Sequence, residues 1–117
     1  PRNRWDDAAS ARHWATVRHL RLRDDKAPKW WLAAVLKNPA SANLRSVSVA
    51  TVELARDERG APWVIKRFGS HIGAAGWLTA FLRGLSEAER ARLIIGTKVG
   101  PMGRAALEKS LRAAAKA

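Results

Sequence analysis

The sequence has no cysteine, which removes a disulfide framework, a thiolate metal site and a cysteine nucleophile from consideration. A cysteine-free chain suits a reducing compartment, and a cytoplasmic location is expected. Tyrosine is absent too. No run of about 18 apolar residues occurs, so no membrane-spanning helix is expected. The polar, charged beginning does not read as a signal peptide, and Pro1 fits either removal of an initiator methionine or a fragment of a longer chain. Acids are scarce: 10 Asp and Glu stand against 22 Lys and Arg, a formal net charge of +12. Histidine occurs only as His13, His19 and His71.

What is present is enough for one domain. The chain has 117 residues, and 47% are hydrophobic, so a core can form without metal or disulfide staples. The positive excess is not a tail. Residues 1–60 carry 12 bases and 7 acids, and residues 61–117 carry 10 and 3. A surface that is electropositive throughout attracts polyanions, of which nucleic acid is the commonest. The competing readings are an acidic protein partner and a basic composition that serves solubility alone.

The clearest pattern lies at Ser70–Leu85. Ala74, Trp77, Leu78, Phe81, Leu82 and Leu85 recur at helical spacing and form one apolar stripe, with Ser70 as the expected N-cap. Before it, Asp6 to Leu22 is read as a helix whose Arg12, Thr16, His19 and Arg23 share a face, although Leu20-Arg21-Leu22-Arg23 alternates as a strand does. A second helix follows Pro28, runs from Lys29 to Lys37 through Trp30 and Trp31, and stops at Asn38-Pro39. Being apolar almost all round, it belongs in a core or at an interface, and its indoles beside lysines also suit base stacking.

From Ser46 the residues become β-branched. Val47 and Val49 alternate, Val52 and Leu54 continue in the opposite phase, and a bulge near Ala50-Thr51, or burial on both faces, is expected. Asp57-Glu58-Arg59-Gly60 marks a turn that needs a positive φ at the glycine, and Trp63 to Phe68 returns as the second strand of a hairpin. Ser86-Glu87-Ala88-Glu89 is a capping box that starts a helix to about Ile95, with Leu93-Ile94-Ile95 as an alternative third strand. Pro101 opens a last helix to about Ala115, where Arg104, Glu108 and Arg112 alternate in charge along one side. The expected architecture is a single α+β domain over residues 1–117: two N-terminal helices, a β-hairpin, then three helices packed around it.

Two short stretches resemble known binding motifs. The helix, glycine-bearing turn and helix of residues 86–115 resemble a helix-turn-helix, in which Lys98, Arg104, Lys109 and Arg112 would face DNA. Two packed helices that close a small domain explain the same residues. Gly73-Ala74-Ala75-Gly76 resembles the GxxG of KH domains, which clamp a nucleic-acid backbone; close approach of a neighbouring element is the alternative.

The hairpin presents Arg56, Arg59, Lys66 and Arg67, with Trp63 beside them, as a ribbon that fits a major groove. No phosphate-binding loop or Gly-x-Ser-x-Gly is present, and no cofactor or metal site is expected. His13 and His19 are six residues apart and do not share a helical face as i, i+4 metal ligands would; a small nuclease built on His13 or His71 remains a minor alternative.

The expectation is therefore a non-catalytic nucleic-acid-binding protein, of DNA or RNA, such as a bacterial, plasmid or phage regulator. Phosphates would be held by Arg12, Arg18, Arg21, Arg23, Arg59, Lys66, Arg67, Lys98, Arg104, Lys109 and Arg112. About six neutralised phosphates would give a log K against log salt slope near −5. The alternative is a protein-interaction module or inhibitor that docks on an acidic partner through Trp5, Trp30, Trp31 and Trp63, since Trp and Arg dominate interface hot spots.

Overall fold

A computed structural model describes residues 11–22, 28–49, 51–69 and 73–116. A 3-10 turn at Arg12–Thr16 leads to β1 (His19–Leu22). Helix α1 (Lys29–Lys37) and a second 3-10 turn (Pro39–Asn43) then precede β2 (Ser46–Val49), β3 (Val52–Ala55) and β4 (Val64–Phe68). Helix α2 (Ala74–Arg83), the short α3 (Glu87–Ala91), β5 (Ile94–Ile95) and α4 (Pro101–Ala115) complete the order. The protein is an α+β domain with a five-stranded mixed sheet in the order β1-β2-β3-β4-β5.

The pairings explain the helices. β1 runs parallel to β2 and β4 parallel to β5, while β2-β3-β4 is an antiparallel meander, so β3 alone opposes the other four. Each parallel pair needs a crossover. α1 supplies the first, and α2 with α3 the second. Both long crossover helices therefore run the same way and pack side by side: Gly76 near the start of α2 lies against Lys29, and Gly84 at its end lies against Leu36 and Ala33.

The helices cover one face of the sheet. Val47, Val49, Val52, Leu54 and Ile65 are buried on that face, with Leu20, Leu22 and Ile95 half-buried beside them. Above them lies α2, whose Ala74, Trp77, Leu78, Phe81 and Leu82 are all buried, as their spacing requires. Both α1 and α4 pack on α2. A smaller cluster of Trp14, Trp31 and Val35 fills the space between α1 and the first 3-10 turn, the two indoles 5.8 Å apart.

Several expectations need correction. The helix expected through Leu22 is absent from the described residues: the chain forms a 3-10 turn and then a strand, because Leu20 and Leu22 meet Val47 and Val49 through the β1–β2 register. The proposed face of Arg12, Thr16, His19 and Arg23 therefore does not form; Asp6 to Ser10, Trp5 and Arg23 lie outside the described residues. The phase slip is a reversal between two strands, with Val49 paired antiparallel to Val52, so one expected strand is two; Ala50 lies outside the described residues. The capping box at Ser86 forms as read, with Ser86 Oγ accepting from the Glu89 amide and Glu89 Oε1 from the Ser86 amide. Its helix ends at Ala91, and Ile94-Ile95 is the alternative strand.

That strand separates α3 from α4, and α4 packs chiefly on α2, so no helix-turn-helix is built. Gly73, with φ 92°, sits at the start of α2, and Gly76 lies inside that helix against Lys29, so the GxxG serves a helix start and a helix contact. The expected Ser70 N-cap is corrected: α2 starts at Ala74 with Gly73 as its N-cap and no side-chain cap bond, and Ser70 itself lies outside the described residues.

Candidate nucleic-acid interface

The other face of the sheet is built from the alternate residues of each strand. His19 and Arg21 of β1, Ser46 and Ser48 of β2, Glu53 and Ala55 of β3, and Val64 and Lys66 of β4 all point away from the helices, and none is buried. The register aligns Arg21, Ser48, Glu53 and Arg67 in one row across β1–β4. At about 4.8 Å per strand, Arg21 and Arg67 are about 14 Å apart at the backbone.

One irregularity raises the charge of this face. Glu53 pairs with Arg67 while Leu54 pairs with Ile65, so Lys66 is an extra residue in β4. Strict alternation would send Arg67 into the core beneath the helices. The bulge breaks the alternation instead. Ile65 stays buried, Lys66 and Arg67 are both exposed, and Phe68 returns to the apolar side. Two consecutive cations thus face solvent from one strand without cost to the core.

Around the bulge lies a hollow of about 280 Å³ lined by Glu53, Lys66, Arg67 and the Gly96-Thr97-Lys98 turn that follows β5. A smaller one of about 110 Å³ adjoins it across Glu53 and Arg67 and reaches Ser48 and Thr51. Three cations therefore share a concave surface with one carboxylate. Glu53 stands opposite Arg67 in the strand register and is the one carboxylate that lines the hollow, where Lys66, Arg67 and Lys98 outnumber it. Such a surface offers donors to phosphate oxygens. Among the described residues no group of three or more His, Asp or Glu gathers that could hold a metal ion.

The structure thus brings together Arg21, Lys66, Arg67 and Lys98. It disperses the rest. Arg12 and Arg18 are exposed near the first 3-10 turn, and Arg59 is exposed in the β3–β4 loop. Arg104, Lys109 and Arg112 are exposed along α4, in the helical layer. The tryptophans proposed as anchors separate as sharply: Trp31 and Trp63 are 5% and 3% exposed, whereas Trp30 is 47% exposed. Trp63 stands edge-on to Phe81 with ring centroids 5.1 Å apart. Its indole is a core ring, unavailable to a ligand. His13 stacks on Trp14, and the His19 ring nitrogen Nδ1 lies 2.7 Å from Ser46 Oγ, while His71 lies outside the described residues.

Sequence reasoning missed how many arginines are internal fasteners. Arg56 lies over the Trp63 ring at 4.6 Å and donates to the carbonyls of Leu44 and Ala42, both at 2.9 Å. Burial, and secondarily the nearby Arg45, lowers its pKa below the ordinary arginine value. Arg90 donates to the carbonyls of Leu82 and Leu85 at the end of α2, and Arg92 to that of Gly60. Nothing in the local sequence separates these from ligand-facing arginines, because their acceptors are backbone atoms 5 to 32 residues away.

The class these features define is a two-layer α+β domain: helices on one face of a mixed five-stranded sheet, and a basic, bulged open face on the other. Comparison with protein-family models, with curated proteins and with solved structures finds no match.

Proposed function

We propose that the protein binds nucleic acid without catalysis, using the open face of the sheet as the docking surface. The observation that carries this reading is the convergence of Arg21, Lys66, Arg67 and Lys98 on the face that the helices leave bare, assisted by a bulge whose effect is to expose a second cation. The mode follows from what else lies there. Among the described residues no Trp or Phe faces outward from the strands, so base stacking has no platform there. Contacts go to phosphates, and a duplex is preferred over a single strand of the same length.

Four phosphate contacts would give a log K against log salt slope of about −3.6 on duplex DNA, shallower than the value near −5 that six contacts require. Fluorescence polarisation of a labelled duplex between about 50 and 200 mM salt measures it. Replacing Lys66 and Arg67 by alanine should flatten the slope by about 2. A slope that the double substitution does not alter would overturn the assignment of this face.

A further inference from the structure

The outer side of the helical layer, away from the open sheet face, carries a second surface. Between α1 and α2 runs a groove of about 570 Å³. Its floor is made of small residues, among them Ala33, Gly76 and Ala80, and half-exposed Trp30 forms a wall. The Thr79 hydroxyl donates its proton to the Ala75 carbonyl of its own helix at 2.9 Å.

Every ionisable side chain lining the groove is a cation: Lys29, Lys37 and Arg83. They sit at its two ends. Lys29 lies beside Gly76 at the start of both helices, and Lys37 and Arg83 are in their last turns. Lys29 and Lys37 are eight residues apart on α1, about 12 Å along the axis, which is two helical turns.

We infer that this groove docks an acidic amphipathic helix of a partner protein, with an apolar face of about two turns on the floor against Trp30 and carboxylates at each end against Lys29 and the Lys37–Arg83 pair. A small-residue floor between two parallel helices receives the side-chain ridge of a third. The partner's charge follows from the all-cation rim. A nucleic acid is the poorer occupant, since the floor presents methyl and methylene groups to base edges that need hydrogen-bond partners. The proposal does not depend on the open sheet face.

The test uses a labelled synthetic helix of about four turns, leucine along one face with glutamate at both ends of that face, and a copy in which lysine replaces glutamate. The glutamate peptide is expected to bind and the lysine peptide not. Trp30→Ala should weaken binding roughly 30-fold, as loss of a central hot-spot indole does. Lys37→Glu with Arg83→Glu should weaken it by roughly tenfold or more. The Lys66→Ala, Arg67→Ala protein should bind the peptide as wild type does. Because Trp30 and the two end cations lie outside the core, circular dichroism of these variants should match wild type. No binding of the glutamate peptide, equal binding of both peptides, or an unchanged affinity after Trp30→Ala would each overturn the proposal. So would displacement of the peptide by a single-stranded oligonucleotide from the Lys66→Ala, Arg67→Ala protein, which would make the groove a nucleic-acid site.

Discussion

Arginines of this protein do two jobs, and the residue scale separates them. Arg56 stacks on Trp63 and closes two carbonyls, so its loss removes a cation–π contact and two charge-assisted hydrogen bonds. Arg56→Ala should cost about 2–3 kcal/mol in urea unfolding and leave the salt slope of DNA binding unchanged. Arg21 is exposed on the sheet and has no such partners among the described residues. Arg21→Ala should change stability by less than about 0.5 kcal/mol and flatten the slope by about 1. Opposite outcomes for the pair would mean that the two classes of cation are wrongly sorted. Trp63→Ala should cost about 3–5 kcal/mol, since it empties a core site beside Phe81. That role was legible in part: Trp63 and Ile65 are two residues apart, so one strand face holds both, and Ile65 is a core residue.

At the scale of elements, what could be read was what local periodicity decides. The stripe of α2, the capping box of α3 and the Pro101 start of α4 are written within a few residues, and all three form. β1 was hidden because its stabilising partner, β2, lies beyond an intervening helix; alternation over four residues does not outweigh a preceding Ala-rich stretch. The bulge was expected, but at the wrong place. A phase reversal between valines marked a turn, whereas the doublet Lys66-Arg67, flanked by Ile65 and Phe68, marked the real one. Deleting Lys66 would restore simple alternation of Ile65 inward, Arg67 outward and Phe68 inward. The deletion protein should therefore fold with a near-native circular dichroism spectrum and bind DNA with a slope shallower by about 1. An unfolded deletion protein would show that the bulge is required by the sheet itself. Between helices the tolerance is smaller. A β-carbon on Gly84 would lie 2.7 Å from Leu36 Cβ and 3.0 Å from Ala33 Cα, so Gly84→Ala should destabilise by about 1–3 kcal/mol.

For the whole molecule, the charge of +12 was plain from composition, and its distribution was not. Cations on α4, on the β3–β4 loop and near the first 3-10 turn give a general positive field, which steers an anionic ligand over distances of about a Debye length, roughly 8–10 Å. Which face receives the ligand depends on the packing of helices over one side of the sheet, a tertiary outcome no local pattern encodes. The same packing creates the Trp30 groove between α1 and α2, so the two proposed docking surfaces are separate. Neither of the sheet's outer strands is long: β1 has four residues and carries Arg21, and β5 has two. Shortness at both edges, and the charge of Arg21 at the β1 edge, resist pairing with further strands.

Amide shift mapping by NMR during titration with a short DNA duplex bears most directly on where the ligand sits. The account predicts that the perturbed amides cluster at Arg21, Ser48, Glu53, Lys66, Arg67 and the Gly96–Lys98 turn, while Trp30, Ala33 and the exposed side of α4 keep their positions. Perturbations centred on α1 and α2, or spread evenly over every exposed cation, would contradict it.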